Sequence, residues 1–173
     1  MRRINYDFDT CVIGLVSDTH IPTRKPFLLP ELFHVLKGVD LIFHAGDLVE
    51  GRVLTELETI APVEAVAGNM DHPGLKNKLG LEKIIVIGGT ALALTHGTGP
   101  HSTVADRVYR HFGSMEVQGI IFGHSHEPFL ERRDGILLVN PGSVSDPRRG
   151  SLASCARLHL DGKRLEVEFI TLQ

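Results

Sequence analysis

The sequence predicts an α/β fold, and three observations carry that expectation. Short apolar runs alternate with stretches of helical spacing as far as residue 67. Each early apolar run ends at a polar cluster, and most of these clusters have glycine beside them. Later residues alternate two by two around glycine-bearing turns. A strand–helix–strand–helix–strand order calls for a parallel sheet with right-handed crossovers. In such sheets ligands bind beyond the carboxyl ends of the strands.

The elements follow in order. Cys11 to Val16 is a buried strand, with Asp18 and His20 just past its end. Phe27 to Lys37 puts Leu28, Leu29, Leu32, Phe33 and Leu36 at helical spacing, and Gly38 stops the helix. Asp40 to His44 is a second strand, delivering Gly46 and Asp47. Glu50 to Thr59 carries Val53, Leu54 and Leu57 on one helical face. Pro62 to Ala67 is a third strand, ending at Gly68 and Asn69. Lys83 to Ile87 and Thr90 to Leu94 form a hairpin around Gly88-Gly89, followed by His96. Ser102 is an expected N-cap for a helix through Phe112, with Val104, Val108 and Phe112 on its inner face. Gly119 to Phe122 is a buried strand running into Gly123-His124-Ser125-His126. Phe129 to Val139 turns at Asp134-Gly135. Leu152 to Leu160 and Arg164 to Thr171 form a hairpin around Asp161-Gly162, with Leu165, Val167 and Phe169 opposing Glu166 and Glu168. One domain over residues 1–173 is expected, its core spanning about 11–172, with a mixed second sheet.

The chain has 173 residues, 42% hydrophobic and 23% charged, so it can bury a core and is not disordered. Its formal charge of −3 argues against a general nucleic-acid binder and leaves room for a nucleotide or another small phosphoester as substrate. No apolar run reaches the length of about 18 residues that a membrane span needs. A cytoplasmic protein with no membrane partner is expected, and homo-oligomerisation is left open. Cys11 and Cys155 lack C-x-x-C spacing and read as buried core residues rather than a disulfide or zinc ribbon.

The chemistry lies in the clusters. Asp18, His20, Asp47, Asn69, His96, His124 and His126 all fall at strand ends. Two divalent cations need a carboxylate that reaches both, and Asp47 is the expected bridge. Asp18 and His20, two residues apart, can point into one site from an extended segment, as can His124 and His126. Carboxylate, imidazole and amide ligands suit manganese, iron or zinc better than copper(I), with nickel and magnesium also compatible. Two such ions outweigh two carboxylates, attract an anionic ester and acidify a water shared between them. That hydroxide is the expected nucleophile. Any one of these residues alone reads as a structural histidine or a turn; their joint occurrence is what points to a metal centre.

The series Asp18-Thr19-His20, Gly46-Asp47, Gly68-Asn69, His96-Gly97 and Gly123-His124-Ser125-His126 resembles the calcineurin-like metallophosphoesterases, most of all their compact bacterial and archaeal phosphodiesterase branch. Asn140-Pro141-Gly142-Ser143 is similar to that branch's following motif. The resemblance implies a four-layer α/β/β/α sandwich with two mixed sheets and helices outside. It implies one ion on Asp18, His20, Asp47 and His126, and the other on Asp47, Asn69, His96 and His124.

Two positions depart from the pattern. Many members carry histidine after the Gly-Asn pair, where it protonates the leaving group. Here Met70 stands there, and a thioether cannot donate a proton. His72 is a weak substitute as general acid. Thr98 stands where some relatives have histidine. His101 could cover the site from its loop, and Arg148 is a candidate contact for substrate phosphate, because guanidinium matches phosphate geometry. A phosphodiesterase is therefore expected; a phosphomonoesterase or nucleotide pyrophosphatase with the same site is the alternative. A eukaryotic retromer subunit of similar fold acts as a scaffold with an incomplete metal site, whereas the ligand set here is complete.

Overall fold

The structure is a computed structural model that describes residues 1–173. In chain order the elements are β1 (Arg2–Tyr6), β2 (Thr10–Val16), α1 (Pro30–Val35), β3 (Leu41–His44), α2 (Arg52–Leu57), β4 (Val63–Ala65), α3 (Pro73–Leu79), β5 (Glu82–Ile87), β6 (Thr90–Thr95), α4 (Val104–Phe112), β7 (Gly119–Ile121), β8 (Pro128–Arg133), β9 (Ile136–Pro141), β10 (Ser154–Asp161) and β11 (Arg164–Thr171).

Two mixed sheets form. One has the order β11-β10-β2-β3-β4, the other β1-β5-β6-β7-β9-β8. In the first, β2, β3 and β4 run parallel, while β10 is antiparallel to β2 and β11. The last hairpin thus closes the first sheet rather than extending the second. Its two-residue alternation specifies a strand pair but not the sheet it joins.

Strand periodicity divides the apolar residues among three cores. Ile13, Leu15, Leu41 and Phe43 face inward to meet Ile85, Leu92, Leu94 and Val139 of the other sheet. Val16 and Ile42 face outward onto Leu32, Val53, Leu57, Leu75 and Leu79 of α1 to α3 and onto Leu36 at the end of α1. On the far side Ala93, Ile120 and Leu138 pack against Val104, Val108 and Phe112 of α4. Three cores between four layers make the α/β/β/α sandwich.

Two elements were not expected. β1 pairs parallel with β5, and its signal is the alternation of Ile4, Tyr6 and Phe8. α3 starts at Pro73 with His72 as N-cap and stops at Gly80, whose φ is +74°. The helix expected from Ser102 instead begins as a 3-10 turn at His101–Thr103, and α4 takes over at Val104 without a side-chain cap. No helix is long and apolar enough to cross a membrane.

Candidate metal centre

All seven predicted residues come together in one place, where the two sheets meet. Asp18 and His20 follow β2, Asp47 follows β3, and Asn69 follows β4. His96 follows β6, while His124 and His126 follow β7. The first three strands lie in one sheet and the last two in the other, so the site straddles the seam between them.

The backbone that presents these residues is not extended. Asp18, His20, Asp47, His124 and His126 all have positive φ, between 46° and 73°. Left-handed backbone is costly for non-glycine residues and concentrates at functional sites. Each two-residue spacing therefore works through consecutive tight turns rather than through strand alternation. Neighbouring glycines allow the loops to approach: a Cβ on Gly68 would overlap Asp47 Oδ1, and one on Gly123 would overlap Ser17 Oγ.

Oxygen and nitrogen atoms converge in two overlapping groups. In the first, ligand atoms of Asp18, His20, Asp47 and His126 all lie within 4.8 Å of one another. His126 Nε2 is 3.1 Å from Asp18 Oδ1, and His20 Nε2 is 3.7 Å from Asp47 Oδ2. In the second group, Asn69 Oδ1 lies 3.1 Å from His96 Nε2 and 3.0 Å from His124 Nδ1, and His96 Nε2 is 3.3 Å from Asp47 Oδ2. Asp47 belongs to both groups.

Backbone carbonyls assign the imidazole protons. His96 Nδ1 donates to Ala45 O, His126 Nδ1 donates to Asp146 O, and His124 Nε2 donates to Gly99 O. In the neutral ring the opposite nitrogen is then a lone pair. Those lone pairs face Asn69 Oδ1 and Asp18 Oδ1, which are themselves acceptors. Asp18 Oδ1 is buried and has no hydrogen-bond donor, whereas its Oδ2 accepts from Ser17 Oγ and the His124 N–H. Acceptor facing acceptor at about 3 Å repels unless the two share a proton or bind a common cation. The residues present therefore fit divalent metal.

Electrostatics say the same. Burial pushes the Asp18 carboxyl up, yet His126, His20 and His96 around it hold it well below the usual range. Asp47 is likewise held low against its burial by His96 and the Met70 N–H. Burial opposes the charge on His96, but Asp47 and Asp18 overcome it and raise its pKa to about 9.

Supporting residues fix the loops. Asp71 is the residue that sequence reading undervalued: its carboxylate accepts the N–H groups of Asp47, Val49 and Gly68, fastening the β3 loop to the β4 loop. Asn140 donates to Gly123 O and Ser125 Oγ, and Ser143 donates to Asp18 O. The Asn-Pro-Gly-Ser segment thus buttresses two loops. His44 accepts the Gly46 N–H on Nδ1, so its Nε2 donates to Thr19 Oγ1; burial lowers its pKa to about 3 and keeps it neutral.

A cleft of about 190 Å³ opens over the first group, lined by His20, Asp47, Asn69, His124 and His126 together with Thr23, Arg24, Met70, His101 and Arg148. Arg148 is one of the lining residues. His72 does not line this cleft; its Nδ1 accepts the Gly74 N–H at the start of α3.

Residues 12–163 match the calcineurin-like phosphoesterase superfamily domain. The chain belongs to that superfamily. It is 38% identical to a protein of Methanothermobacter thermautotrophicus named as a probable metallophosphoesterase, over 92% of this chain and 91% of that one. A phosphodiesterase of Methanocaldococcus jannaschii is 31% identical over 75% of this chain and 82% of its own. The solved structure of an archaeal phosphodiesterase superposes with a TM-score of 0.69 at 26% identity, covering 93% of this chain and 99% of that one. As a calcineurin-like phosphoesterase, the chain has a buried aspartate–histidine cluster suited to divalent metal.

Proposed function

We propose that this chain is a phosphodiesterase working with two divalent cations, manganese foremost. Asp18, His20, Asp47 and His126 would hold one; Asp47, Asn69, His96 and His124 would hold the other. The observation that carries the reading is the pair of lone-pair clusters joined by Asp47. When bound, such cations polarise phosphoryl oxygens and acidify water.

The chain's own residues do the rest. Asp47 keeps both positions in register because Met70 N–H and Asp71 fix its side chain and backbone. The carbonyls of Ala45, Gly99 and Asp146 hold three imidazoles in the ligating tautomer. Arg148, in the cleft wall, is placed to orient an anionic ester. Met70 lines the cleft where an acid would help a leaving group and can supply no proton. Leaving groups that depart without protonation are favoured, which supports diesters of acidic alcohols over alkyl monoesters. The names of two relatives point the same way. The two cysteines are unpaired buried thiols, as suits a reducing compartment, and a cytoplasmic location belongs to the same proposal.

The test is hydrolysis of bis(4-nitrophenyl) phosphate and 4-nitrophenyl phosphate by chelator-stripped protein, before and after addition of manganese. Turnover should need the metal, favour the diester and disappear in Asp47→Asn together with bound metal. Diester turnover that persists after stripping would overturn the reading; preference for the monoester would select the phosphomonoesterase.

A further inference from the structure

The cleft is asymmetric in a way that the metal centre does not explain. Arg24, from the loop after β2, and Arg148, from the loop after β9, share one carboxylate. Arg24 Nε is 3.2 Å and Arg148 Nη2 3.6 Å from Asp146 Oδ2. Two guanidinium groups against one carboxylate leave a net positive wall. Asp146 also lies beside the metal centre, because its carbonyl accepts from His126 Nδ1 at 2.6 Å. The second guanidinium is within 3.0 Å of the His101 ring, which stacks edge-on against His124. Each arginine is thus one side chain away from a candidate metal ligand.

These arginines contribute little to stability. Their side chains are 55% and 36% exposed, and exposed ion pairs add only about 0 to 1 kcal/mol. Arg24 meets Asp146 through Nε, so both its terminal nitrogens keep donors for a ligand. Met70 is the one apolar residue in the cleft lining, and no Phe, Tyr or Trp lines it. Nothing there offers a platform for a flat apolar group, whereas paired guanidinium groups match oxyanions.

We propose that Arg24 and Arg148 form a clamp for a second oxyanionic group of the substrate, apart from the phosphate being cleaved. The proposal rests on the phosphoesterase reading and narrows its substrate class to esters with a further phosphate or carboxylate on the arm lying toward His126. Asp146 holds the two arginines apart and ready, so the clamp is arranged before substrate arrives.

Two measurements test it. In the first, metal-loaded protein is titrated calorimetrically with thymidine 5′-monophosphate and thymidine 3′,5′-bisphosphate. In the second, the 4-nitrophenyl 5′-phosphate esters of thymidine, with and without a 3′-phosphate, are turned over side by side. The added phosphate should tighten binding and raise kcat/KM by about ten- to a hundredfold, the range for hydrogen bonds to charged groups. That ratio should collapse toward one in the Arg24→Gln/Arg148→Gln double variant. It should persist in Arg149→Gln, whose side chain pairs with Glu127 and does not line the cleft. Equal affinity for both nucleotides in the unaltered protein would overturn the clamp, as would a double variant that weakens both by the same factor. If neither ester is cleaved while the bisphosphate keeps its advantage, the phosphodiesterase reading fails and the clamp stands. Cleavage of both at equal efficiency sinks the clamp alone.

Discussion

At the scale of single residues, His96 has two states. In the metal-free protein Asp47 and Asp18 raise its pKa to about 9, so it is protonated at neutral pH. Only the neutral ring can ligate, so cation and proton compete. Metal affinity should fall as pH drops below about 9, and binding at pH 7 should release protons. Calorimetry in buffers of different ionisation enthalpy reads that release; an apparent enthalpy independent of buffer would contradict it. His44 shows the opposite behaviour. Its folded pKa is depressed to about 3 from 6.5, so between those values the unfolded chain binds a proton that the folded chain does not. Stability should therefore decline as pH falls through that window. Urea denaturation at pH 7 and pH 5 should show the decline, with a smaller difference in His44→Gln. The seven convergent residues were legible in the sequence because each follows a strand-like run, and all but Asp18 and His20 sit in or beside a glycine-bearing turn. Arg24 was not legible, because an isolated arginine in a loop carries no spacing signal.

At the scale of elements, the loops after β3 and β4 behave as one unit because Asp71 accepts three backbone N–H groups from them. Asp71→Ala would leave three donors wanting, each costing about 1 to 3 kcal/mol if it stays buried. A loss of about 3 kcal/mol or more lowers the Tm of a domain this size by roughly 10 °C, measurable by calorimetry. Metal affinity should drop with it, since Asp47 and Asn69 lose their common anchor. Asp71→Asn, which keeps an acceptor oxygen, should fall between the two. Such a role escapes sequence reading: the carboxylate serves groups up to 24 residues away, and nothing local marks it. The same limit explains the hairpin of β10 and β11. Its turn at Asp161-Gly162 is local and readable, whereas its pairing with β2 joins residues almost 150 positions apart. β1 and α3 did carry local signals, a short alternation and a Pro–Gly pair of boundaries. Both are brief, and charged neighbours dilute them.

At the scale of the whole molecule, the site is shared between two sheets. Asp18, His20, Asp47 and Asn69 come from one, and His96, His124 and His126 from the other. Cations held there would tie the sheets together across the seam, in addition to the inner core of Leu15, Phe43, Leu94 and Val139. A ligand that binds only the folded state stabilises it by about 4 kcal/mol at a thousandfold excess over its dissociation constant. Manganese should accordingly raise Tm and a chelator lower it, and Asp47→Asn should abolish the difference. An unchanged Tm across that series would show that the cluster binds no cation in solution.

The left-handed turns under Asp18, His20, Asp47, His124 and His126 have a consequence for how the protein ages and recovers. Five left-handed torsions are held partly by side chains that share a target and partly by Asp71, Asn140 and Ser143. Take the target away and the polypeptide there has reason to relax, while the hydrogen-bonded strands behind it do not. Chelated protein should then keep its framework and lose its fingertips, so that reloading is a local rearrangement of loops rather than a refolding of the molecule.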